Sequence, residues 1–304
     1  MNFAKSRKKA AADLESQATS QAVIRTPLQQ ALRRFRKNKI AMTGFWMVVV
    51  LVLFVNIGAL VTPYDPDAVS LFDINATPTA EHVLGCDSLG RDLLTRILFG
   101  GRISLAVGLL SAALSMALGS LVGALSGYYG GVVDSILMRL TDLVLTIPSL
   151  PLLMVLGVIF KPSPTFLIIM IALLNWTTSA RLVRSRFLTL KELDYIKAAR
   201  ATGEGDARMI LTHLLPNSLD VIVVTATLAI GNSIIMESTL SFLGCGINPP
   251  TASWGSMLQS AQETMASAPL TAIAPGLMIF LTVLAFNFVG DGLTDALDPK
   301  RDLA

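Results

Sequence analysis

Residues 194–217 read DYIKAARATGEGDARMILTHLLPN, a polar segment between long uncharged runs in a mostly apolar chain. Ala198, Ala199 and Ala201 favour a helix and present little bulk, so another surface can approach closely. Gly203 can end that helix or bend the chain, because glycine tolerates positive φ. Glu204, Asp206 and Arg208 supply polarity for a second helical turn, and Pro216 marks entry into the next apolar run. Two uses fit such a segment. It can be a short rigid lever that docks on a partner, or an amphipathic helix lying on the membrane surface.

The flanking sequence establishes that a membrane is involved. The chain has 304 residues, of which 53% are hydrophobic and 15% charged, and its mean hydropathy is +0.62. Soluble domains carry roughly 25% charged residues. Spanning a hydrocarbon core takes about 20 helical residues. Runs free of Asp, Glu, Lys and Arg cover 40–62, 103–133, 143–160 (extended back towards Ile136), 162–180 and 264–290. One more begins near Val221 and reaches about Phe242, interrupted by Glu237. The expected fold class is therefore all-α, a polytopic membrane protein with six transmembrane helices. Barrel strands are excluded, because the runs are too long and lack strict alternation. The basic residues flank apolar spans without aromatic interleaving, which excludes a nucleic-acid reader.

Lys and Arg set the orientation. Residues 1–39 are basic, from Lys5 to Lys39, and the segment after the fourth span holds Arg181, Arg184, Arg186, Lys191, Lys197, Arg200 and Arg208. The intervening outer segments hold Arg91, Arg96, Arg102 and Lys161. Both termini and the 194–217 segment are thus expected in the cytoplasm. No apolar core precedes Ile40 and no small-residue cleavage site follows, so no removable signal peptide is expected. The expected organisation is a basic cytoplasmic segment 1–39, a first span 40–62, a periplasmic segment 63–102, a core 103–292 and a cytoplasmic tail 293–304. The core contains a loop at 187–216 and an outer loop at 244–267. In the first outer segment, Asp87 or Ser88 is expected to cap a helix with the apolar stripe Leu93, Leu94, Ile97 and Leu98. A helical piece from Trp254 to Met265 is expected in the second. Both segments are expected to cover the outer mouth of the bundle.

The order Ala198-Ala199, Gly203, Leu214-Leu215-Pro216 resembles the cytoplasmic coupling motif of ABC importer permeases. Three further stretches look like one subfamily: Gly85 to Asp92; Phe242-Leu243-Gly244 with Pro249-Pro250 and Trp254-Gly255; and Asn287 through Asp291-Gly292-Leu293 to Asp298-Pro299. That subfamily is the dipeptide/oligopeptide/nickel group, second (C-type) permease subunit, and the resemblance runs from about Arg33 to Arg301. It implies a type I importer permease fold and a bacterial inner-membrane location. The implied partners are a homologous permease forming a heterodimer, two ABC ATPase subunits and a periplasmic or extracellular substrate-binding protein, all within membrane lipid. It implies that ATP and Mg are used by the ATPase subunits and that this chain binds no cofactor. By resemblance, Tyr195, Ala198, Ala199, Arg200, Gly203, Leu215 and Pro216 couple to the ATPase. Two positions depart from the family motif: Lys197 stands where Glu is general, and His213 where an apolar residue is general. The subfamily handles dipeptides, oligopeptides, glutathione, nickel chelates and some oligosaccharides, of which peptides are the expectation.

The remaining candidates read as follows. No G-x-x-x-x-G-K-[ST] phosphate loop occurs, so no catalytic residue is assigned. Glu237 is an acid inside an apolar run, where a lipid-facing charge costs roughly 2.5–3.5 kcal/mol. It is expected to be partly solvated, and either lines the translocation path or makes a structural hydrogen bond. Asn232, Asn175 and Asn287 are further lining candidates. Gly119, Gly123 and Gly127 form a groove for another helix, within this subunit or from a partner. Pro148, Pro151 and Pro275 can kink their helices. Arg91 and Asp92 pair locally or meet the binding protein. Cys86 and Cys245 both fall on the outer side and could form a disulfide. His82 and His213 lie on opposite sides, so no metal site is expected. A secondary transporter coupled through Glu237 is the alternative class, but it usually shows internal repeats. None is evident here.

Overall fold

The computed structural model describes residues 27–160 and 162–297. Residues 1–26 of the basic segment, Lys161, and residues 298–304 of the tail, including Asp298 and Pro299, lie outside the described residues. The fold is helical: α1 Pro27–Lys37, α2 Lys39–Val61, α3 Leu93–Tyr129, α4 Gly131–Thr146, α5 Ser149–Ile159, α6 Pro164–Lys191, α7 Asp194–Ala201, α8 Leu219–Phe242, α9 Trp254–Ser260 and α10 Leu270–Leu297. Among the described residues the only β pairing is an isolated bridge, Cys86 with Asp92.

Helix starts are set by side chains that satisfy exposed backbone N–H groups. Asn38 accepts from Ile40 and Ala41 to open α2, and Asp92 accepts from Thr95 to open α3. Ser163 precedes Pro164 at the start of α6. Ser253 and Ser256 form a reciprocal capping box for α9. Gly130, at φ +68°, separates α3 from α4.

Helices α2, α3, α6, α8 and α10 are long and apolar enough to cross a membrane. Helices α4 and α5 reach that length only together, and they are bent by 75°. The bend falls at Ile147-Pro148, both extended. Proline disfavours the helical conformation in the residue before it. Six spans thus appear as five helices and one broken pair.

Several boundaries differ from those expected. The outer helix and the second span are a single 37-residue helix opened by Asp92, not by Asp87 or Ser88. Gly100 and Gly101 lie inside this helix, where Gly100 packs on the Ser253 backbone and Gly101 on the Trp254 ring. The third span begins at Gly131 although it carries Asp134, Arg139 and Asp142. Both acids are paired: Arg184 donates to Asp134 at 2.5 and 2.6 Å, and Arg181 to Asp142 at 2.6 Å. The last span continues to Leu297, into the stretch expected to be tail.

The two faces of the bundle follow from contacts between helix ends. Thr62 and Thr95 hydroxyls meet at 2.7 Å where α2 ends and α3 begins. At the opposite face, Lys191 at the end of α6 donates to the Tyr128 carbonyl (2.5 Å), and Arg186 to Asp220 at the start of α8 (2.7 Å). On that same face Asn38 donates to Asp295 at 3.2 Å, so α2 begins beside the end of α10. Helix α3 packs chiefly on α6. The glycine groove makes this possible: a Cβ at Gly119 would lie 2.5 Å from Ser179 Cβ, and one at Gly127 would lie 2.7 Å from Phe187 Cβ. The groove is filled from within the subunit.

Candidate functional site

The 187–216 segment folds back onto the ends of α3 and α6. Ile196 is the one buried residue of α7, at 1% exposure, and Met209 and Leu214 are fully enclosed. They join Met116, Ala124, Tyr128, Val183, Phe187 and Leu190 in one apolar cluster, with Ala199 and Leu215 packed against it. Burying each such side chain contributes roughly 1.5–3 kcal/mol, which seats the segment firmly on the bundle.

After α7 the chain turns at Gly203, whose φ of +83° suits glycine. A turn at Asp206–Arg208 leads into a π-helical stretch, Met209–Leu214, then a 3-10 turn, Pro216–Ser218. The Leu215 N–H reaches back five residues to the Ile210 carbonyl at 2.8 Å. This wider turn lets Met209 and Leu214 face the same cluster.

Polar contacts hold the outer layer. Tyr128 Oη donates to Asp206 Oδ1 at 2.6 Å, and the Arg200 guanidinium lies 5.5 Å above the Tyr128 ring. His213 Nε2 meets Glu204 Oε2 at 2.7 Å. The unusual His213 is therefore matched by Glu204, nine residues earlier. Lys197 pairs with Glu192 at 3.1 Å on the exposed side.

Of the residues expected to couple, Tyr195, Ala198, Arg200, Gly203 and Pro216 are exposed, whereas Ala199 and Leu215 face the bundle. Sequence reasoning missed Tyr128, which closes α3 and holds both Asp206 and Arg200. Its place at the end of an apolar run beside Gly130-Gly131 was the available signal.

The other candidates separate. Glu237 is 0% exposed, not partly solvated. Ser104, Ser238 and Ser241 hydroxyls donate to its carboxylate at 3.1, 3.3 and 2.8 Å. Ser104 Oγ also accepts the Trp254 N–H at 3.2 Å, so the acid ties α3, α8 and α9 together. Asn232 is exposed and Asn175 half-buried, each without a hydrogen bond from its side chain among the described residues. Trp254 inserts completely into the bundle and donates from Nε1 to the Ile97 carbonyl at 3.0 Å. Helix α9 is thus wedged in, where a cover over the mouth was expected.

The first outer segment is knitted by buried charges. Arg91 donates to Asp87 at 2.8 Å, Arg96 to the Pro66 carbonyl at 2.8 Å, and His82 meets Asp92 at 2.9 Å. Arg91 and Asp92 are consumed locally. Cys86 and Cys245 are free and buried, so no disulfide joins them. Cys86 is held by its own loop, donating from N–H to the Ala76 carbonyl at 3.0 Å, and the Cys245 carbonyl packs on Gly157. Burial, followed by the charges of Asp92, Asp73 and Asp87, pushes the Cys86 thiol up to about 11. Among the described residues no group of acids, histidines and cysteines could hold a metal ion.

The fold is that of a polytopic helical membrane protein with a structured charged loop between α6 and α8. Residues 119–303 match the family described as binding-protein-dependent transport system inner membrane component. Residues 26–78 match the N-terminal TM domain of oligopeptide transport permease C. The glutathione transport system permease proteins GsiD of Escherichia coli O6:K15:H31 and Shigella boydii serotype 4 are each 42% identical over 278 residues, covering 91% of this chain and 92% of theirs. The chain belongs to the binding-protein-dependent inner-membrane transport components, as a C-type permease of the peptide group of ABC importers. It is a multi-pass inner-membrane protein.

Proposed function

We propose that this chain forms one half of the translocation channel of a peptide importer and receives the ATPase stroke through α7. The observation that carries the reading is the two-sided build of the loop. Ile196, Met209 and Leu214 are sealed against the bundle, while Tyr195, Ala198, Arg200 and Gly203 are exposed, Ala198 and Gly203 adding little bulk. A motor subunit gripping the outer side would move α3 and α6 directly. On this reading the partners are a homologous permease, two ATPase subunits that use ATP and Mg, and a substrate-binding protein. Both termini and α7 lie in the cytoplasm, in keeping with Arg186, Lys191 and Arg200 at that face. Asn175 and Asn232 are available to the channel or the partner permease, whereas Glu237 acts inside this subunit. A short peptide of the glutathione type is the proposed cargo, by analogy with the GsiD relatives.

The test uses Gly203. Its Cβ position is open, so substitution acts through backbone conformation and bulk on the docking side. In the assembled importer, Gly203→Val should reduce uptake at least tenfold while ATP hydrolysis continues. Gly203→Asn tolerates positive φ and should retain more uptake. Normal uptake by Gly203→Val would remove the docking role from this loop.

A further inference from the structure

Helix α1 stands where the chain enters its first span, and among the described residues only one of its sides is packed against the protein. Arg34 donates to the Ala296 carbonyl at 3.4 Å. Phe35 lies against Gly292, where a Cβ would come within 3.3 Å of its ring. Ala31, Arg34, Phe35 and Asn38 recur at helical spacing and are all half-buried towards α10.

The other side carries Leu32, Arg33, Arg36 and Lys37, followed by Lys39 and Ile40 at the mouth of α2, all exposed. Neither α1 nor its junction with α2 contains an acid. Among the described residues, Arg33, Arg36, Lys37 and Lys39 have no ion pair or side-chain hydrogen bond. A single residue, Asn38, separates α1 from α2, so these cations sit at the level where hydrocarbon gives way to headgroups.

We propose that this face of α1 binds the phosphates of anionic phospholipids in the leaflet it enters. An interfacial helix places its apolar residues at the acyl boundary and its cations among the headgroups. Leu32 supplies the apolar contact. Guanidinium groups pair with phosphate through two parallel donors, and each basic residue at an anionic surface strengthens binding about fivefold. Continuity with a membrane span, and an exposed leucine amid the cations, favour lipid over a soluble partner. The proposal rests on the membrane-permease assignment but not on the role of α7.

The experiment uses the assembled importer purified in mild detergent from membranes containing phosphatidylglycerol and phosphatidylethanolamine. Bound lipid is extracted and counted by mass spectrometry. The Arg33→Gln, Arg36→Gln, Lys37→Gln triple variant should retain several-fold less phosphatidylglycerol and the same ATPase subunits. Equal phosphatidylglycerol in parent and variant would overturn the proposal. So would loss of ATPase subunits with lipid unchanged, which would make this face a protein dock. A second variant, Leu32→Trp, leaves every charge in place and decides the matter if the triple variant fails to insert. Its added emission should be quenched several-fold more by brominated phosphatidylglycerol than by brominated phosphatidylcholine, with the difference shrinking as salt is raised. Equal quenching by the two lipids at low salt refutes it. A fault in the α7 reading would instead appear as uptake unaffected by Gly203 variants, with lipid retention unchanged.

Discussion

At the scale of single residues, Glu237 shows how an acid can sit inside an apolar span with its carboxylate fully hydrogen-bonded. Three hydroxyls satisfy its carboxylate, and one of them relays to the Trp254 backbone. Glu237→Ala would leave buried hydroxyls short of a partner, at about 1–3 kcal/mol each. The thermal midpoint of the solubilised complex should fall clearly for Glu237→Ala, and much less for Glu237→Gln. Uptake that followed an ion gradient and vanished in the Gln variant would revive an ion-coupling role. Cys86 offers a pH readout. Its thiol ionises near 11 in the fold, against an ordinary value of 9.0. The fold therefore favours the neutral thiol, and that contribution is complete below pH 9 and lost as pH climbs towards 11. Stability measured from pH 8 to 11 should decline more steeply for the parent than for Cys86→Ala. At pH 8, maleimide labelling of the folded chain should be slow.

At the scale of elements, α4 is the least expected piece. Sequence reading placed its span from Leu143 back to Ile136, because Asp134, Arg139 and Asp142 broke the uncharged run. Hydropathy cannot see that Arg184 and Arg181, some forty to fifty residues later, neutralise those acids. Since α6 leads straight into α7, the Asp134–Arg184 pair couples the loop to α4. Asp134→Asn should destabilise the complex by about 1–2 kcal/mol, discounted for partial exposure. Adding Arg184→Gln should cost little more, because the pair is already lost. Full additivity in that double-mutant cycle would mean the two side chains act independently. The coupling segment was legible for the opposite reason. Its alanines, Gly203 and Leu-Leu-Pro are local signals, whereas Tyr128 lies more than sixty residues away and joins the loop only through packing. The seating of α9 was likewise hidden, since Trp254 reads as an outer-loop aromatic until Gly101 is seen to make room for it.

At the scale of the whole molecule, the uncharged runs marked the membrane-length helices, and the basic residues carry the expectation for their sides. What the sequence could not display was the closure of the bundle, because that depends on Asn38 meeting Asp295 and on Ala41 meeting Gly292. A reporter that is active only in the cytoplasm should work when fused after Ala304 or before Met1. It should be silent when inserted between Asp65 and Ser70. Activity at one end only would require the α4–α5 elbow to turn back without crossing. The Asn38–Asp295 contact also has a consequence in time. Helix α2 has α10 as its neighbour, so that part of the bundle closes only after every helix between them has been made. Until then α1 and α2 wait with one flank bare. A chain halted before α10 would present that flank to the lipid.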